Sequence, residues 1–355
     1  MTVEQIAGAG LMMLFLADIF LTVLYARAGT GLLAPRWNQF VWALIGGVAG
    51  LLGRRRAVAL SFAGPVIVVA LIVFWSAGLT ISAALVIRPE LGTAIRPASG
   101  DTTTDIVTAL MVAGNSLSIV GGGDYSPYTA ATRILFLINS LIGASVMSLV
   151  LSYLVQVYSA LRERNALALT IDLMTGGSGD AAQMLARLGP DGDFSNATSE
   201  LGNLARSLAM TKEAHHFYPL LFYFRFREPL YSVSRMTFIL LDLTTLIDTT
   251  LDRQKYGALV RSAAVGSLQS CARLLLSTLD RNFPSVEEEQ TYSLTEDFEG
   301  SYAAALDVLR SGGVDTQAHM ARYADQRGQW EALVRRVGPA LGYGMGEIDC
   351  RRPVQ

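Results

Sequence analysis

Residues 116–127 read Ser-Leu-Ser-Ile-Val-Gly-Gly-Gly-Asp-Tyr-Ser-Pro, a glycine run that ends on Asp124. Glycine has no Cβ and accepts backbone angles closed to other residues, so such a run can aim main-chain groups where a regular helix or strand cannot. The other reactive side chains are sparse. Asp18 interrupts an apolar stretch. An ionisable residue there is a functional candidate, and a purely structural bond to a polar neighbour is the plainer reading. His215 and His216 are adjacent, so they point in different directions on a helix and chelate poorly as a pair; packing is expected. Glu287, Glu288 and Glu289 read as a solvated turn. Cys271 and Cys350 make neither a CxxC motif nor a disulfide framework, and no HExxH is present, so no zinc signature appears. With no nucleophile–base arrangement visible, no enzyme activity and no cofactor are expected.

The elements that must position these residues follow from composition. The chain of 355 residues is 51% hydrophobic and only 16% charged, against about 25% charged in a soluble domain. Residues 1–160 are mostly apolar, and 161–355 read like an ordinary soluble protein. That asymmetry predicts a membrane half and an aqueous half. A net charge of −2 gives no sign of nucleic-acid binding.

A membrane-spanning helix needs about 20 apolar residues. Ile6–Tyr25, Pro65–Ile87 and Ala130–Leu154 meet that need. Pro65 suits a first helical turn, and Arg133 can snorkel to the interface. Trp37–Gly53 is shorter, carries Trp37 and Trp42 at one end and runs into Arg54, Arg55 and Arg56. It reads as an interfacial helix, with a re-entrant or spanning path as the rival. Arg54, Arg55, Arg56, Arg162 and Arg164 flank the second and third spans on one side, which predicts that side to be cytoplasmic and the amino terminus to be outside. The first twenty residues have no basic start, so a secretory signal is not expected. The expected division is 1–56 (a span plus an interfacial helix), 57–164 (two spans and the segment between them) and 165–355 (an aqueous helical domain).

Between the second and third spans lies a segment that is not expected to cross. Asp101-Thr-Thr-Thr-Asp105 is a good helix cap, and Ile106–Leu117 follows as a short apolar helix. The order span, short helix, glycine-rich loop ending in Asp, span resembles the pore of potassium channels, whose filter loop reads TVGYGD. Ile119, Val120, Gly121, Gly122, Gly123 and Asp124 align with that loop, and Ser118 with the threonine before it. The resemblance is strongest over about residues 60–160. It implies an all-α membrane protein with a potassium-channel-like pore module, an additional N-terminal span and an all-α cytoplasmic domain. It also implies a homotetramer in the lipid bilayer of the cell (inner) membrane, because one loop cannot surround an ion. Backbone carbonyls of Val120, Gly121 and Gly122 would hold a monovalent cation, K+ or Na+, in place of its water.

Two departures from the family pattern bear on selectivity. Ile119 lacks the side-chain oxygen that the family threonine supplies, and Gly122 lacks the aromatic ring that holds the filter's width. Weakened potassium selectivity is therefore expected, with a non-conducting, channel-derived membrane sensor as the alternative. Gly143 in the third span is a candidate gating hinge, or else a site of close helix packing. Ser140, Ala144 and Ser148 would face the pore or a neighbouring helix.

Beyond Arg162 the sequence predicts helices over 165–174, 181–188, 196–216, 230–251, 254–279, 302–309 and 317–337. The 254–279 segment is read as one amphipathic helix with Tyr256, Val260, Ala263, Leu268, Cys271, Leu275 and Leu279 near one face. No GxGxxG follows a strand, and no arginine repeat marks a voltage sensor. His216-Phe-Tyr-Pro-Leu-Leu-Phe-Tyr-Phe-Arg225 and Arg227-Glu-Pro-Leu-Tyr231 resemble the carboxy-terminal region of a bacterial group of potassium-channel-like proteins. That likeness brings no known ligand, so it leaves the regulatory ligand unnamed. The aromatic stripe from Phe217 to Phe226 is expected in a core or an intersubunit contact.

Overall fold

Helix α1, Val3–Ile19, starts at a reciprocal cap: Thr2 Oγ1 accepts the Gln5 N–H at 3.3 Å, and the Gln5 side chain accepts the Thr2 N–H at 2.9 Å. These contacts satisfy two amides that a helix start leaves unpaired. A π-helical turn, Phe20–Leu24, continues it. The structure is a computed structural model that describes residues 2–25, 31–100, 102–118, 123–282 and 294–351.

The chain folds as two compact units. The first comprises residues 1–47, 64–158 and 217–220. It contains α1, most of α2 (Ala34–Leu51), α4 (Ala63–Ile87), α5 (Ile106–Leu117) and the first part of α6 (Ala130–Met174). The short α3, Arg56–Ser61, belongs to the second unit. Among the described residues, three helices are long and apolar enough to cross a membrane: Val3–Leu24, Ala63–Glu90 and Ala130–Met174.

The first unit's core explains why α1 lies antiparallel on α4. Glu4 meets Arg88 at 3.1 Å and Gln5 meets Glu90 at 2.9 Å at one end. Further along, Gly8 lets the Ser82 carbonyl approach: a Cβ there would lie 2.7 Å from that oxygen. Gly78 in turn leaves room for the Phe15 ring. Met12, Phe15, Ile19, Leu71, Trp75 and Leu79 are buried together with Ala109, Val112 and Ala113 of α5. The N-terminal span and the segment resembling a pore therefore share one core.

The first turn of α2 is built into that core. Ala34 is buried in it, and Trp37 stacks on Phe74 with ring centroids 4.5 Å apart and planes 16° apart. The tryptophan that the sequence assigns to a membrane interface thus packs on α4.

A two-stranded antiparallel ribbon frames α5. Strand β1, Ile95–Pro97, pairs with β2, Tyr125–Pro127, with Ile95 opposite Pro127.

The second unit comprises residues 48–63, 159–216 and 221–355. Its centre is α9, Val233–Thr250, in which every residue except Arg235 and Asp248 is buried. A helix buried on all sides must be enclosed by others, and its polar groups must find partners there. Helices α7 (Ala181–Leu188), α11 (Ala263–Asn282), α13 (Met320–Ala340) and α14 (Met345–Ile348) pack on it. Its buried threonines cost little, because Thr237, Thr244, Thr245, Thr249 and Thr250 return their hydroxyls to carbonyls of the preceding turn. Helices α8 (Ala197–Phe217), α10 (Arg253–Val260) and α12 (Leu294–Ser311) complete the unit.

The 254–279 expectation is corrected: the segment is two helices, broken at Arg261 and Ser262. Ser262 Oγ accepts the Val265 N–H at 3.3 Å and so begins a new helix. The apolar face survives the break in shifted form, with Tyr256, Leu259, Val265, Leu268, Ala272, Leu275 and Leu279 buried.

Candidate functional site

Asp105 caps α5 through its side chain, which accepts the Thr108 N–H at 2.9 Å. This local device fixes where the helix starts. The other end is held by α6. Asn139, 2% exposed in the middle of an apolar stretch, donates from Nδ2 to Ser116 Oγ at 2.9 Å. Ser116 Oγ donates in turn to the Ala113 carbonyl at 2.8 Å. One turn further along α6, Gly143 touches the last helical carbonyl: a Cβ there would fall on the Leu117 oxygen and lie 2.8 Å from the Leu117 carbonyl carbon. Gly143 is thus a close-packing position in an unbroken helix. Ser140, Ala144 and Ser148 lie on exposed positions of the same helix.

The loop leaves α5 at Ser118, whose N–H still donates to the Gly114 carbonyl at 2.9 Å. Ile119, Val120, Gly121 and Gly122 lie outside the described residues, and so does the expected cation position at the carbonyls of Val120, Gly121 and Gly122. The chain re-emerges at Gly123 with φ +148°, a conformation that favours glycine. A Cβ at Gly123 would lie 2.6 Å from Asn115 Nδ2, so Asn115 of α5 abuts the return limb of the loop. Asp124 is exposed and leads into β2. The Tyr128 N–H then donates to the Ala94 carbonyl at 2.9 Å, extending the ribbon. Ser118 therefore continues from an end of α5 that α6 holds, and Gly123 lies against Asn115 of α5 just before the ribbon.

Asp18 is fully buried and makes three bonds. Its Oδ1 accepts the N–H groups of Leu33 (2.7 Å) and Ala34 (3.2 Å), and its Oδ2 accepts Trp75 Nε1–H at 2.8 Å. The carboxylate satisfies amides at the start of α2 from a distant helix, where a negative charge is favoured. Both carboxylate oxygens are thus engaged by partners within the first unit.

In the second unit a buried charge network was not visible in the sequence. Arg327 is fully buried. It donates to Glu331 at 2.6 Å, Asp349 at 2.5 Å, Ser301 at 3.0 Å and Tyr323 Oη at 2.6 Å. Tyr323 Oη donates to Asp242 at 2.8 Å, and Arg351 bridges Asp242 and Asp180. These acids hold the arginine charged against its burial, and burial holds the Tyr323 phenol well above its usual range. The one available signal was Asp242 within the apolar run Ile-Leu-Leu-Asp-Leu.

His215 is buried, with Nδ1 at 2.8 Å from the Thr211 carbonyl and its ring 4.7 Å from Phe222. Burial, aided by the nearby Arg164 charge, lowers its pKa to about 3. The aromatic stripe is core in its middle only: Phe222, Tyr223 and Phe224 are buried, Tyr218 and Phe226 are half-buried, and Phe217 is exposed. Arg164 clamps it by donating to the carbonyls of Leu221 (2.9 Å) and Phe224 (3.1 Å).

Among the described residues no group of three or more His, Cys, Asp or Glu could hold a metal ion, and Cys271 and Cys350 form no disulfide. Comparison with family models, curated proteins and solved structures found no match.

Proposed function

We propose that this chain is one subunit of a potassium-channel-like cation channel, with the loop Ser118–Asp124 as the ion path. The observation that carries the reading is the clamp at the carboxy end of α5. Asn139 and Gly143 of a long apolar helix grip the last turn of a short helix, and that turn feeds directly into the glycine run. A helix carboxy terminus carries partial negative charge from its unpaired carbonyls, which suits a cation near Ser118. Irregular backbone at membrane depth is tolerated where it lines a cavity or is buried in protein, and a rigid support is what such a loop needs. One loop offers too few carbonyls to replace a hydration shell, so the path is completed by further copies, four by analogy with the resemblance. Ile119 and Gly122 weaken discrimination between K+ and Na+ in this reading.

Flux through the purified protein in liposomes tests it, with K+ or Na+ gradients, for the wild type and for Ile119→Thr/Gly122→Tyr. Cation flux in the wild type is expected, with the double variant favouring K+ more strongly. Silence in both, with the oligomer intact, would sink the channel reading in favour of a non-conducting membrane sensor.

A further inference from the structure

Helix α6 is 45 residues long, about 68 Å at ~1.5 Å per residue. The hydrocarbon layer of a bilayer is only about 30 Å thick. The part of α6 that follows Arg162 and Glu163 belongs to the second unit, yet it still exposes leucines: Leu169 is 42% and Leu173 63% exposed. Beside them, between α6 and α8, lies a groove of about 300 Å³ lined by Glu163, Leu167, Met174, Glu200, Leu204 and Met210, among others. Met210 on its far wall is 56% exposed.

We propose that this groove receives the Arg162–Leu173 ridge of a second copy of this chain. The proposal rests on the multi-subunit reading above and names the surface that assembles the subunits. Three observations choose this occupant. First, a ridge with exposed leucines and a groove with apolar walls lie side by side in one unit, and ridges seat in grooves when helices pack. Second, the charges are complementary. Glu163 and Glu200 on the groove, and Arg162 on the ridge, are exposed and in no ion pair among the described residues. A neighbour's Arg162 would meet an acidic wall that repels an anionic lipid headgroup. Third, ridge and groove are different faces, so the contact is head-to-tail, the kind that forms a ring when the rotation between copies closes and a filament when it does not. A loop that cannot enclose an ion by itself requires such a ring.

The test uses the full chain in membranes, with Cys271→Ser and Cys350→Ser to remove the native thiols. A Leu173→Cys chain is co-expressed with a differently tagged Met210→Cys chain, and a short bis-maleimide is added. The expected product is a cross-linked dimer carrying both tags. Arg162→Glu should lower its yield at least threefold, and adding Glu200→Arg should restore it. An intact wild-type oligomer by native mass spectrometry, with no product carrying both tags, would overturn this interface alone. So would cross-links confined to pairs of Leu173→Cys chains, because they would put α6 on a shared axis. A monomeric wild type would overturn both this inference and the channel reading.

Discussion

Gly143→Ala separates packing from hinging at the centre of the proposed site. The added methyl would fall on the Leu117 carbonyl oxygen and lie 2.8 Å from its carbon, where carbon atoms prefer about 3.5–4.0 Å. Backbone flanks the contact on both sides, so no flexible side chain can yield. Either α6 or the end of α5 must withdraw by roughly 0.7 Å or more. Overpacking of this kind costs about 1–3 kcal/mol, while alanine in place of glycine returns about 0.5–1 kcal/mol of helix stability. The Asn139–Ser116 bond, at 2.9 Å one turn away, would stretch as well, and a typical hydrogen bond contributes about 1 kcal/mol. The net expectation is a loss of ~2 kcal/mol, or a fall of roughly 4–8 °C in the melting temperature of a unit this size. Thermal unfolding in lipid nanodiscs measures it, with cation flux recorded in parallel. A hinge predicts the opposite: alanine would stiffen the helix and leave the melting temperature unchanged or raised, while altering opening. An unchanged or higher melting temperature would refute the packing argument.

Three further outcomes are expected. Asp18→Asn turns an amide donor toward Trp75 Nε1–H or toward the α2 amides, at a cost of about 1–3 kcal/mol. A double-mutant cycle with Trp75→Phe should show coupling in thermal melts, whereas altered flux at full stability would return Asp18 to the ion path. Arg327→Met leaves Asp242, Glu331 and Asp349 without their shared cation and should cost roughly 3–5 kcal/mol, read by denaturant unfolding followed through Trp330 fluorescence. His215, with its folded pKa lowered to about 3, stays neutral when folded, whereas an unfolded histidine takes up a proton below about 6.5. The unfolded state then binds more protons, so stability is complete above about pH 6.5 and falls as pH drops toward 3. His215→Phe should flatten the part of that slope between pH 6.5 and 5, where carboxylates contribute least, and an unaltered slope would remove His215 as its cause.

Much of the architecture was legible because its signals are local. The bounds of α5 were readable from the Asp105 cap and the apolar run that follows, and α7 coincides with the helix read over 181–188. The spans were readable from length and hydropathy. Partnerships across long separations were not. Asp18 reaches Leu33, Ala34 and Trp75, and a lone acid in an apolar helix does not say which amides it will find. Asn139 was legible only as a polar residue inside a span; its partner Ser116 is set by how α5 and α6 pack. The break at Ser262 was missed because the apolar face resumes after it, although serine is a good cap.

The two ends of α5 are therefore secured by different means, and only one of them governs the proposed ion path. Asp105 is local and exposed, so its loss should fray the first turn without moving the last. Asn139 and Gly143 act on Ser116 and Leu117, immediately before Ser118. A change there displaces the end of α5 whatever happens at the cap. The point at which the chain leaves α5 is thus set less by Ser118 itself than by one asparagine and one glycine a turn apart on the following helix.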